Sequence, residues 1–167
     1  NAGTYKPDTA EDFTLAYFKK HMELNVLGVA NCLEPVLKAF VKRKAGHIAI
    51  VASVAGMRGL PRSLSYGPSK AALINLAAAL YVEAKPHNVK VQVVNPGFVK
   101  TPLTDKNDFE MPMLMPVDEA ADAFIKGLES DNFEIAFPWL FVHIKKVIDL
   151  LPNRVYLWLV GKMKTQI

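Results

Sequence analysis

Two short runs of apolar, largely β-branched residues constrain the fold more than any other feature. Residues 47–53 read His-Ile-Ala-Ile-Val-Ala-Ser, and residues 89–95 read Val-Lys-Val-Gln-Val-Val-Asn. Runs of this kind form strands buried on both faces, as in a parallel sheet. Between them, residues 65–85 carry Ala71, Ala72, Ala77, Ala78 and Ala79 and read as a helix. A third short strand is expected at 133–137, closed by Pro138, after a helix at about 117–129. Residues 10–44 read as a short helix and then a long one. Leu24, Leu27, Leu33, Val36, Leu37, Phe40 and Val41 recur there at helical spacing. Pro35 is expected to kink that helix, and Ala45-Gly46 to end it. Residues 1–3 read as the end of one more strand, and 100–116 as a mobile loop. Strands alternating with helices define an α/β protein with a doubly wound parallel sheet and helices on both faces.

The chain has 167 residues, enough for one domain with a real core. Its formal charge of +4 is modest and scattered. The densest basic run, Lys42-Arg43-Lys44, suits a helix C-terminus, so no nucleic-acid partner is expected. The lone cysteine, Cys32, stands in an apolar helical stretch and reads as a small buried hydrophobe. No Cys/His spacing suggests a metal site. No signal peptide is evident. No uncharged apolar run approaches bilayer-spanning length. A cytoplasmic location is therefore expected.

In parallel α/β sheets, ligands bind beyond the carboxyl ends of the strands. Gly3, Ser53 and Asn95-Pro96-Gly97 fall at such ends, as does the entry to the helix carrying Tyr66. Tyr66 and Lys70, four residues apart, share a helical face. A free phenol titrates near pH ~10. An ammonium beside it would lower that value and make Tyr66 a proton donor and acceptor near neutrality. Ser53 could hold a substrate oxygen or simply cap a strand end. Ser63, Ser65 and Ser69 receive no catalytic role. His21, His47, His87 and His143 show no nucleophile–base arrangement. Asp118 and Glu119 read as helix N-terminal acids.

In sequence order, these features resemble the short-chain dehydrogenase/reductase family over nearly all of residues 1–137. Asn1-Ala2-Gly3 resembles its N-A-G turn, and Asn25 stands where the family places an active-site asparagine. Ser53, the Y-x-x-x-K pair Tyr66/Lys70 and the loop Pro96-Gly97-Phe98-Val99-Lys100-Thr101 follow in register. The resemblance implies a Rossmann-like fold and NAD or NADP as cofactor. It also implies hydride transfer between a secondary alcohol and a ketone. Tyr66 would be the general acid/base. Lys70 would tune it and bond the cofactor's ribose. Ser53 would hold the substrate oxygen, and Asn25 would support a water relay to Lys70. Pro96, Gly97, Val99 and Thr101 would bind the nicotinamide half, and Asn1, Ala2 and Gly3 would line the adenosine side. Asn25 as a structural amide and Thr101 as plain loop remain open alternatives.

No G-x-x-x-G-x-G occurs. The family's pyrophosphate turn, and the residues choosing between NAD and NADP, would lie in a preceding half. The chain is therefore expected to be a fragment carrying the active site, inactive alone. The rivals are a naturally truncated product and a non-catalytic binding or regulatory protein on the same fold. Residues 138–167 form an apolar tail of two helical segments broken at Pro152. Lys145, Lys146 and Asp149 are expected to share one narrow face there. The tail would cover a substrate pocket, meet another subunit or touch a membrane surface. The partners expected are a small, apolar carbonyl or alcohol substrate and a second copy of the chain.

Overall fold

The computed structural model describes residues 3–107 and 111–164. Asn1 and Ala2 lie outside the described residues. Gly3 stands in irregular backbone, not in a strand. Three strands form a parallel sheet in the order β1 (Gly46–Val51), β2 (Val89–Pro96), β3 (Glu134–Phe137). Period-two alternation divides the sheet into two faces. Ile50, Ala52, Val89, Val91 and Val93 pack under α2 (Gly28–Arg43) and α3 (Tyr66–Ala84). Val94, Ile135 and Phe137 pack under α4 (Val117–Glu129). The helices thus cover both faces of the sheet, a Rossmann-like arrangement. Gln92, the polar residue within β2, is fully buried. Its amide donates to the carbonyls of Gly127, Ser130 and Asn132, tying β2 to the end of α4.

The first helical region departs from the sequence expectation in its start and in a π-helical turn. It starts at Leu15, where the Thr14 hydroxyl caps α1 (Leu15–His21). Next comes a π-helical turn, Met22–Leu27, in which the Gly28 N–H reaches back to the Glu23 carbonyl. Pro35 lies inside the following helix. Pro35 and Asn31 are exposed, so water can satisfy the Asn31 carbonyl that proline leaves unbonded. Cys32 is exposed, not buried, because α2 turns only Val29, Leu33, Leu37 and Phe40 toward the core. The joined helix Leu15–Arg43 is long and apolar enough to cross a membrane by length and composition alone, although Glu23 and Glu34 interrupt it.

Two helices close the chain, α5 (Trp139–Asp149) and α6 (Asn153–Lys164). The break falls at Pro152, as expected. The loop after Ser53 holds both helices. The Arg58 guanidinium donates to the carbonyls of Asp149 and Leu151, at 2.5 and 2.8 Å, and to Asn153 Oδ1. It also stacks 3.8 Å over the Tyr156 ring. The Tyr156 hydroxyl donates to the Gly59 carbonyl at 2.8 Å. The tail is therefore pinned to the body at two points.

Candidate active site

Ser53 stands two residues beyond β1 in extended backbone and caps a short helical turn, Val54–Gly56, with Ala55 N–H donating to its Oγ. Gly56 in that turn lies against α3. A Cβ there would sit 2.5 Å from the Lys70 carbonyl carbon and 2.6 Å from the Ala71 nitrogen. Glycine thus allows the Ser53 turn to press on the helix carrying Tyr66 and Lys70. The start of that helix is held from the other side. Buried Asp8 accepts hydrogen bonds from the Ser65 N–H and the Ser65 hydroxyl.

Tyr66 is the first residue of α3. Its ring meets Tyr5 edge-on at 4.9 Å. Burial pushes its phenol above the ordinary value, and the Ser53 side chain pulls it only part of the way back. This corrects the expectation that Lys70 lowers it. The Lys70 Nζ sits 5.6 Å from the Tyr66 ring centroid and donates to the Val51 carbonyl at 3.1 Å. Burial in turn lowers Lys70 to about 8. At neutral pH the pair is a protonated phenol beside a protonated amine.

Asn25 lies in the π-helical turn and is fully engaged. Its Oδ1 accepts the Thr4 N–H at 2.8 Å. Its Nδ2 donates to the Thr4 carbonyl and to the Ser69 hydroxyl, both at 3.0 Å. Ser69 donates in turn to the Tyr66 carbonyl. The amide side chain therefore fixes backbone near Gly3 and Tyr66 and keeps neither of its hydrogens for a water. Ser69, given no role from sequence, is the link. Its i, i+3 position relative to Tyr66 was the available signal.

Two cavities meet at this edge. A cleft of about 710 Å³ is lined by Gly3, Asn25, Ser53, Tyr66, Lys70, Pro96, Gly97, Val99 and Thr101. All described residues expected at the cofactor or the catalytic centre thus border one space. Its donors suit a ribose and a carboxamide. Lys70 uses one of its three N–H groups on Val51, and the Thr101 hydroxyl has only a 3.4 Å contact with Thr104. The Thr104 hydroxyl, missed in the sequence, shapes the loop by bonding the carbonyls of Val99 and Thr101 and accepting the Thr101 N–H.

The second cavity, about 300 Å³ and mostly apolar, shares part of its lining with the first. Phe141, Ile144, Lys145 and Ile148 of α5, with Tyr156, Leu159 and Val160 of α6, roof it. Ser53, Tyr66, Gly97, Leu103 and Thr104 border both spaces. The need for glycine at 97 comes from the roof. A Cβ there would meet the Phe141 ring at 2.9 Å. Within α5 the charges diverge and do not share one face. Lys145 turns inward to Asp149, while Lys146 pairs with Glu134.

The short chain dehydrogenase family model matches residues 1–111. The chain belongs to the short-chain dehydrogenase/reductase family. It is 35% identical to an uncharacterized oxidoreductase of Myxococcus xanthus over 93% of this chain and 62% of that protein. It is 34% identical to a 3-dehydrosphinganine reductase of Danio rerio, over 81% of this chain and 44% of that one. A solved short-chain dehydrogenase of Burkholderia cenocepacia, in complex with NADP, superposes with a TM-score of 0.77 at 26% identity. That superposition covers 88% of this chain and 62% of the Burkholderia chain. The chain therefore spans roughly half to two-thirds of the length of these relatives.

Proposed function

We propose that this chain carries the proton-transfer half of an NAD(P)-dependent oxidoreductase interconverting a secondary alcohol and a ketone, and that a preceding segment completes the cofactor site. The observation that carries this reading is the shared border. Ser53 and Tyr66 line both a polar-edged cleft and an apolar cavity, so groups held in the two would meet at these side chains. A nicotinamide cofactor in the cleft would supply the hydride. Lys70 would hold its ribose hydroxyls, and Thr101 and the Val99 backbone its carboxamide. Ser53 Oγ would donate to the substrate oxygen and stabilise charge building there. Tyr66 Oη would deliver the proton, its raised pKa keeping that proton available at neutral pH. Lys70 would return it.

The test is ketone-dependent oxidation of NADPH or NADH followed across pH. Lys70 is the group that loses its proton on the alkaline side, so kcat/KM for reduction holds below about pH 8 and falls above it. No turnover with any ketone, or a profile flat well above that pH, overturns the reading.

A second contact is favoured by the outward face of the tail. Trp139, Val147 and Trp158 are exposed, and Leu150 is 85% exposed. Interfacial helices present such residues to lipid. A cytoplasmic enzyme touching a membrane surface through α5 and α6 accounts for them. The exposed Leu15, Leu27 and Val82 suit contact with a second copy. Sedimentation with and without anionic vesicles tests both. The expected result is a dimer alone and pelleting with lipid. A monomer that stays in solution removes both contacts.

A further inference from the structure

The substrate cavity contains a charge that the proton-transfer chemistry does not use. Lys145 lies on the roof helix α5, only 8% exposed, and lines the same space as Ser53 and Tyr66. It holds both oxygens of Asp149, at 2.6 and 2.7 Å. Burying an ion pair costs more desolvation than it returns in attraction unless something further is gained. The pair does not fasten the roof, because both partners are on the same helix, four residues apart. Fastening is done by Arg58, through carbonyls and the Tyr156 ring. Two apolar side chains would roof the cavity at lower cost.

The sign of the lining charge supplies the reason. Among the described residues, the charged side chains that border the cavity are Lys145 and Arg62, both cations. The Asp149 carboxylate does not border it. The bidentate carboxylate occupies part of the ammonium's donor set and holds its position. An ammonium has three N–H groups, so the two contacts with Asp149 leave one uncommitted to the carboxylate on a group that also lies 5.7 Å from the Tyr156 ring centroid.

We propose that Lys145 anchors a carboxylate or comparable oxygen acceptor at the far end of the substrate from the reacting carbonyl. The substrate is then an apolar ketone or alcohol with an acidic terminus. This rests on the reductase reading above. Ser53 and Tyr66 receive the reacting oxygen, the apolar wall takes the chain, and Lys145 takes the acid.

The test uses the protein with its complete cofactor site and matched pairs of probes. Each pair is a 2-alkanone, from hexan-2-one to decan-2-one, and the oxo acid in which its terminal methyl is a carboxylate. At one or more chain lengths, the oxo acid has a kcat/KM at least about tenfold above its alkanone, with the gain in KM. That ratio collapses in Lys145→Met and survives in Lys145→Arg. Because Lys145→Met strands the Asp149 charge, the double variant Lys145→Met/Asp149→Leu is measured beside it, with its melting curve. A folded double variant that keeps the ratio overturns the proposal, as does a wild-type ratio near one at every length. Calorimetric binding of the oxo acids separates this from the reductase reading. Lys145-dependent binding without turnover upholds the anchor and sinks the enzyme, and no such dependence sinks the anchor.

Discussion

Replacing Tyr66 with phenylalanine lowers turnover by ~10²–10⁴-fold and leaves the fold nearly unchanged. The ring keeps its edge-on contact with Tyr5 at 4.9 Å and its more distant one with His21 at 6.4 Å. What disappears is the hydroxyl, and with it the polar influence it exchanges with Ser53. The kinetic loss is large because the neighbouring Tyr5 phenol gives its proton to Asn107 Oδ1, at 2.6 Å. The Lys70 ammonium is directed to the Val51 carbonyl at the end of β1. Steady-state kinetics alongside thermal melting separate the two effects. Normal turnover in this variant would end the acid/base assignment.

Gly56→Ala is expected to damage both stability and catalysis. The new methyl would press on main-chain atoms of Lys70 and Ala71, at 2.5 and 2.6 Å, which cannot swing aside as a side chain could. The Ser53 turn and α3 must separate by several tenths of an ångström. Overpacking of this kind costs about 1–3 kcal/mol. The separation falls between Ser53 on one element and Tyr66 and Lys70 on the other. Misplacement approaching an ångström can remove ~10² of rate. Denaturant midpoints with kcat on the same preparation measure both losses. A variant equal to the wild type in both would show that the turn does not bear on the helix.

Much of the sheet and of the site is legible in the sequence. Residues 47–53 and 89–95 announced strands because β-branched residues without polar partners have few other places to go. Tyr66, Lys70 and Ser53 were legible because chemistry restricts residue type, and strand ends restrict position. The chain belongs to the family whose motifs these residues resemble. Other features depend on packing, which periodicity does not report. Cys32 matches an apolar helical pattern, yet it falls on the side of α2 away from the core. The π-helical turn around Asn25 adds a residue to the hydrogen-bond ring without any residue type that signals it. The direction of the Tyr66 shift turned on whether burial or a neighbouring cation dominates. Burial dominates, because Lys70 points to Val51. Ser69 and Thr104 look like ordinary hydroxyls until their partners are known. Lys145 looked like one of several tail lysines until the roof was closed over it.

The attachment of that roof has a consequence for how such a protein changes over evolutionary time. Arg58 grips α5 and α6 chiefly by the carbonyls of Asp149 and Leu151. Every amino acid presents a carbonyl. Residues facing the cavity from α5 can therefore be exchanged one by one without loosening the grip, and a lineage can sample new substrates while its fold stays shut. Arg58 and Tyr156 lack that freedom, so they should drift slowly while Ile144, Lys145 and Ile148 between them diverge.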